Sequence, residues 1–280
     1  MAQSSVERRA KQKAAPWIER LARFGYAAKG VVYGLLGILA IQAAFSLGGK
    51  TTGSQGALRA IAQQPFGQIL LVIVGMGLVG YVIWRLIQAL IDPEHSKSNG
   101  WDDWCRRLGY GISSVAYASL AFSAFQIALG SSNGSRSDSS TESMTAMIMR
   151  QPFGIWLVGT AGALLIGLGC YYCYRAFRVK FRSKLLIDDL SLGAKALLIQ
   201  ICRFGIAARG VVFWIMGGFL IRAALTADPD KAKSTGGVLT VIEQSPYGTW
   251  ALGAMALGLV AYGVYMGTMA RYRRISPPRA

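Results

Sequence analysis

The chain has few of the groups that carry chemistry inside a site. It has one histidine, His95, in the polar stretch Asp92–Gly100. One imidazole excludes bis-histidine haem ligation within the chain and any His-rich metal centre. All 13 Asp and Glu fall in the termini or in polar connections, from Glu7 to Glu243. Proton pumps and proton-coupled carriers use titratable groups within the membrane, and the apolar runs offer no carboxylate for that. No Gly-x-Ser-x-Gly or His-Glu-x-x-His occurs, and Gly205-x-x-x-x-Gly210 lacks the Lys-Ser/Thr of a phosphate loop. The sequence therefore predicts no enzyme, no catalytic residue, no metal and no cofactor.

Cysteine is scarce too. The four, Cys105, Cys170, Cys173 and Cys202, lie in or beside apolar segments and form no disulfide framework. Cys170-Tyr171-Tyr172-Cys173 has redox spacing, but it sits in an apolar helix without a βαβ context, where thiols serve as small packing groups. The N-terminal stretch to Arg23 is basic and polar, without the apolar core of a removable signal peptide.

What the chain does have is apolar length and positive charge. It is 53% hydrophobic and 15% charged, with a mean hydropathy of +0.38. That is too apolar for an ordinary soluble domain. Six continuous runs are long enough to cross a bilayer, near 24–47, 66–90, 108–130, 153–177, 204–225 and 247–270. A span takes about 20 residues of helix, and continuous rather than alternating apolar character selects helices over a barrel.

The net charge of +17 would suit nucleic acid, but the basic residues lie between the apolar runs, not along one face. A membrane surface is the better partner, and no nucleic acid is expected. One set of connections, termini included, carries 21 Lys and Arg against seven in the other set. The positive-inside rule then places both termini in the cytoplasm, across the inner (plasma) membrane, and draws anionic lipid headgroups to the basic flanks.

A threefold repeat organises these runs. Arg23–Tyr33, RFGYAAKGVVY, returns as RLGYGISSVAY from Arg107 and RFGIAARGVVF from Arg203. QPFG at 64–67 returns as QPFG at 151–154 and SPYG at 245–248, with the proline 42, 45 and 43 residues after the opening arginine. The repeated structural positions are Arg23, Gly25, Gly30, Pro65 and Gly67; Arg107, Gly109, Pro152 and Gly154; and Arg203, Gly205, Gly210, Pro246 and Gly248. Gly77-Leu78 and Tyr81 match Gly258-Leu259 and Tyr262, whereas the second repeat reads Leu164-Leu165 and Leu168 there.

The fold expected is an all-α membrane protein of six spans. Its units are a basic tail 1–15, repeats 16–92, 93–182 and 183–272, and a tail 273–280. Two spans per repeat keep all three repeats parallel, so they can be related by a pseudo-threefold axis along the membrane normal. Each repeat should open with an interfacial amphipathic lead-in, such as Pro16–Leu21. Between its spans a short helix is expected, at 57–64, 145–151 and 238–245, with the motif proline starting the returning span. Gly30-x-x-x-Gly34 and Gly263-x-x-x-Gly267 should be helix-packing faces.

Lys29 and Arg209, with Ser113 at the same place in the second repeat, are the candidate binding residues. They lie six residues inside Arg23, Arg107 and Arg203, about 9 Å along a helix. Two readings stand. Either the cations snorkel to the headgroups, or they face a central axis and bind an anion or lipid headgroup. Tyr33, Phe213, Tyr117, Tyr81, Trp84, Tyr262 and Tyr265 read as packing or interfacial aromatics.

The triplicated pattern resembles a bacterial integral-membrane family of unknown function built from three copies of a two-helix domain. The resemblance implies location and topology and no chemistry. Mitochondrial carriers are similar only in having three repeats of two spans, because their Pro-x-Asp/Glu-x-x-Lys/Arg gate is missing. Function is thus expected to be a non-enzymatic membrane scaffold or lipid-interacting protein, with a carrier or channel for a small anion or neutral solute as the alternative.

Overall fold

The computed structural model describes residues 2–49, 51–90, 101–130, 137–178 and 191–272. Its elements are all helical: α1 (Ala2–Ala44), α2 (Ser54–Ala62), α3 (Gly67–Leu90), α4 (Trp101–Ala128), α5 (Ser137–Met149), α6 (Gly154–Phe177), α7 (Leu192–Thr226), α8 (Thr235–Glu243) and α9 (Gly248–Tyr272), with one turn of 3-10 helix at Pro229–Lys231. Six of them, α1, α3, α4, α6, α7 and α9, are long and apolar enough to cross a membrane. The protein is a multi-pass membrane protein of three two-span repeats. The short helices α2, α5 and α8 join the two spans of each repeat, as expected; α2 and α8 start a few residues earlier than expected, and α5 starts at Ser137, two turns before 145.

The lead-ins are not separate interfacial helices. α1, α4 and α7 run through them without interruption. Between each lead-in and its span no glycine or proline stops the helix, and extending an existing helix costs far less than nucleating a new one. The part of the third lead-in before residue 191, and the two tails apart from the backbone of 2–15, lie outside the described residues.

Each proline motif closes a tight turn through the same backbone hydrogen bond, with a left-handed third residue in the first two motifs only. The carbonyl of Gln64 accepts from the N–H of Gly67 at 2.8 Å, that of Gln151 from Gly154 at 2.9 Å, and that of Ser245 from Gly248 at 2.8 Å. Proline thus occupies the second position of a turn that precedes the helix, two residues ahead of the first helical residue, and not the helix start itself. Phe66 and Phe153 take the left-handed third position, with φ of 62° and 65°. Glycine must follow because a Cβ on Gly67 would lie 2.3 Å from the carbonyl oxygen of Ile61. The aromatic at the third position points outward: Phe66, Phe153 and Tyr247 are all exposed, at a depth suited to a bilayer interface.

Packing follows the threefold order. The first span of each repeat packs on the second span of the repeat before it in the cycle: α4 on α3, α7 on α6 and α1 on α9. Within repeats 1 and 3 the two spans also pack, α1 on α3 and α7 on α9. The glycine faces expected from the sequence meet each other across the α1–α9 seam. A Cβ on Gly30 would lie 3.0 Å from the Gly263 oxygen, and one on Gly263 2.8 Å from the Gly34 nitrogen. Backbones approach this closely only with small residues between them.

The second repeat breaks the pattern, because α4 and α6 form no such seam among the described residues. In repeat 1 a Cβ on Gly25 would meet the Tyr81 nitrogen at 2.5 Å, and in repeat 3 one on Gly205 would meet Tyr262 at 2.3 Å, yet Gly109 has nothing within 4 Å. Steric bulk explains the gap. Ala28 against Gly77 and Ala208 against Gly258 form the other two seams, where even the glycine's missing Cβ would lie 2.5 Å and 2.2 Å from the alanine methyl. The corresponding pair in repeat 2 is Ile112 and Leu164, which are 58% and 66% exposed. The six spans form an arc, α4–α3–α1–α9–α7–α6, open between its two ends.

Candidate functional site

The inner face of the arc is lined by cations and phenols set one helical turn apart. Lys29 and Tyr33 are an i, i+4 pair on α1, as are Arg209 and Phe213 on α7 and Tyr81 and Arg85 on α3. α4 contributes Tyr110 and Tyr117, α6 contributes Tyr172 and Arg175, and α9 contributes Tyr262 and Tyr265.

Lys29 is 4% exposed and Arg209 8% exposed. The snorkelling alternative is therefore excluded for both, since a snorkelling side chain ends in water or headgroups. The Lys29 ammonium lies 4.4 Å from the centre of the Tyr117 ring and 4.7 Å from that of Tyr81, with Tyr33 and Tyr262 each at 5.8 Å. The Arg209 guanidinium lies 4.2 Å from the Phe213 ring and 4.7 Å from Tyr33. Ring faces attract cations by about 0.5–2 kcal/mol each, the upper end applying where water is excluded. The rings also brace one another edge to face, Tyr33 against Tyr262 at 5.0 Å and Tyr81 against Tyr117 at 4.8 Å.

Hydrogen-bond acceptors are in short supply. Lys29 donates to the Tyr81 hydroxyl at 3.1 Å, and Arg85 donates to the same oxygen at 2.8 Å. Arg85 also donates to the Gln88 Oε1 at 3.1 Å, and Arg175 to the Tyr265 hydroxyl at 2.6 Å. The Tyr33 and Tyr117 hydroxyls sit 3.2 Å apart. The Arg209 Nη1 is buried without a hydrogen-bond partner. A lysine brings three donors and each arginine five. No Asp or Glu lies deep in any span to offset these charges. Lys29, Arg85 and Arg175 rest on phenol and amide oxygens, and Arg209 on ring faces, where a carboxylate would ordinarily be found. Chemically, what such a cluster lacks is acceptor oxygens.

The other sequence candidates take their places around this cluster. Ser113 is half-buried on α4, one turn before Tyr117 and at the edge of the opening, so the second repeat brings no cation there. Arg23 is spent on helix α9: it donates to the Ala270 carbonyl at 3.0 Å and to that of Arg271, and pairs with Glu19 at 2.8 Å. A cation there satisfies carbonyls at a helix C-terminus and complements its dipole. Arg107 is exposed and Arg203 half-buried. Cys173 packs against Gly210, whose added Cβ would meet its sulfur at 2.8 Å, and Cys170 accepts from the Trp214 indole at 3.3 Å.

Arg85 and Arg175 were not evident as site residues in the sequence. Each lies inside the end of an apolar run and counts with the basic connection that follows. The helices continue past them to Leu90 and Phe177, which keeps both side chains within the bundle. The available signal for Arg85 was Tyr81 one turn before it; Tyr171, one turn before Arg175, is exposed and marks no inward face.

Comparison with known proteins agrees with the repeat. The Domain of Unknown Function DUF1206 matches three times in tandem, over residues 24–92, 108–179 and 204–273. The "Uncharacterized protein YxxB" of Bacillus subtilis (strain 168) is 36% identical over 255 residues, 91% of each chain. No solved structure matches significantly.

Proposed function

The chain belongs to the DUF1206 family, and from that premise we propose that it is a non-enzymatic, lipid-interacting protein of the plasma membrane whose cation cluster binds an anionic headgroup. The observation that carries this reading is the Arg209 Nη1, buried without a hydrogen-bond partner in a cluster with no carboxylate. A buried donor on a permanent charge costs several kcal/mol if left unmatched. A phosphate oxygen matches it and offsets the mutual repulsion of the four cations. Lys29 and Arg209 lie about 9 Å along their helices beyond the basic residues Arg23 and Arg203, which the positive-inside rule assigns to the cytoplasmic face. Both termini are then cytoplasmic, and the anion is drawn from that leaflet.

The test is native mass spectrometry of the detergent-purified chain with phosphatidylglycerol or phosphatidylcholine added. Phosphatidylglycerol should be retained by the wild type and shed by the Lys29→Gln/Arg209→Gln double variant. Equal retention of the two lipids by the wild type would defeat the reading.

The threefold placement of Lys29, Ser113 and Arg209 favours a second reading, a carrier for a small anion near the axis. It expects efflux of an anion from loaded vesicles that the same double variant abolishes.

A further inference from the structure

Among the described residues each span packs on its neighbours in an unbroken series except between α4 and α6, and both of these carry cluster residues. α4 and α6 bound the opening. Each carries cluster residues on its inner side, Tyr110 and Tyr117 on α4 and Tyr172 and Arg175 on α6. Arg85 reaches α4 across the α3–α4 seam, its guanidinium 5.1 Å from the Tyr110 ring. The opening is thus flanked by Arg85 on one side and Arg175 on the other, with Lys29 and Arg209 behind. Its outer lips are apolar: Ile112 and Val115 on α4, Leu164 and Leu168 on α6, all exposed.

We propose that the α4–α6 opening is a lateral portal through which one anionic phospholipid places its phosphate among Lys29, Arg85, Arg175 and Arg209 while its acyl chains lie between the two helices. The inference rests on the headgroup-binding reading and adds the route and the whole ligand. Two features select a lipid over a soluble anion, and a third selects an anionic lipid over a neutral one. The opening lies along spans long and apolar enough to cross a membrane. Its rim is aliphatic, which suits acyl chains and not a hydrated ion. Its inner wall carries four cations with too few acceptors, including the unpartnered Arg209 Nη1, which suits a phosphate and not a neutral lipid. The opening is also written into the sequence. Repeats 1 and 3 keep Ala28–Gly77 and Ala208–Gly258 as closed seams, whereas Ile112 and Leu164 hold the second repeat apart.

The experiment uses the full chain in phosphatidylcholine vesicles doped with phosphatidylglycerol that bears a photoreactive diazirine on one acyl chain. Labelled peptides are mapped by mass spectrometry. Labelling should concentrate on α4 and α6 around Ile112 and Leu164, about tenfold above that given by diazirine phosphatidylcholine, in line with one or two charge-assisted hydrogen bonds. The Lys29→Gln/Arg209→Gln variant should reduce it to the phosphatidylcholine level. An Ile112→Ala/Leu164→Gly variant, which restores the small-residue seam of the other repeats, should also lose the label while every cation remains. Labelling spread evenly over the six spans, or concentrated on the α7–α9 side, would overturn the portal. So would protein–protein cross-links through α4 and α6, which would assign the opening to a second copy of the chain. If phosphatidylglycerol is retained in the mass spectrometer but labels elsewhere, the portal fails and the binding site stands. If it is neither retained nor labels, both fail.

Discussion

Replacing Tyr81 by phenylalanine removes one oxygen and almost nothing else. The ring keeps its edge-to-face contacts with Tyr26 at 5.4 Å and Tyr117 at 4.8 Å. The lost hydroxyl accepts from both Lys29 and Arg85. Hydrogen bonds to charged groups contribute about 1.5–3 kcal/mol each, so losing two should cost roughly 3–6 kcal/mol in an empty cluster. At about 2–4 °C per kcal/mol for a large domain that is a fall in Tm of roughly 6–24 °C in neutral detergent. A bound phosphate would replace the missing acceptor, so added phosphatidylglycerol should recover a large share of the loss. Phosphatidylcholine should recover none. The assay is thermal unfolding of wild type and Tyr81→Phe in each lipid, with Lys29→Met as the partner of a double-mutant cycle. Coupling between the two sites should exceed about 1 kcal/mol. A Tyr81→Phe protein as stable as wild type in neutral detergent would refute the account, because the shared oxygen would then satisfy nothing.

Three other outcomes are expected. Gly25→Ala should destabilise by about 1–3 kcal/mol through overpacking, since its Cβ would meet the Tyr81 backbone at 2.5 Å. The equivalent Gly109→Ala has open space and should be neutral or stabilising by up to about 1 kcal/mol; chemical or thermal denaturation gives both signs. Arg23→Met should leave the bundle folded but speed hydrogen exchange in the last turn of α9, where it frees the Ala270 and Arg271 carbonyls. A cysteine at Asp230, beside α8, should react with an impermeant maleimide on intact cells in a background lacking the native thiols. One at Ser276 should react only after permeabilisation; the reverse pattern would invert the proposed topology.

The spans, the repeat and the α1–α9 glycine seam were legible because each depends on local composition and spacing. The inward aim of Lys29 was not, because depth along a helix says nothing of rotation about its axis. A rotational signal did exist. Phe24, Val31 and Ile38 recur every seven residues and are all exposed, so they mark the lipid-facing stripe. Ala28 and Gly30 mark the two seams. At about 100° per residue Lys29 falls nearly opposite that stripe. Reading small residues as seam markers, and not only as permissive ones, would have turned it inward. The gap in the second repeat was half-legible. The loss of the glycine and tyrosine at Leu164 and Leu168 was plain, but that it opens the bundle needed Ile112 opposite. Arg85 and Arg175 were obscured because each was counted with the basic connection that follows, although both lie inside the runs 66–90 and 153–177.

The first span's seam with the last has a consequence for biogenesis. α1 leaves the ribosome first, yet Gly30 packs on Gly263, Lys29 has the Tyr262 ring nearby, and Arg23 caps α9. All three partners arrive only when the final helix has been synthesised. Until then the Lys29 cage holds only the rings of Tyr33, Tyr81 and Tyr117, and the α1–α9 seam is unmade. Completion of the nascent chain, more than insertion of any single helix, is therefore the step that locks this protein together.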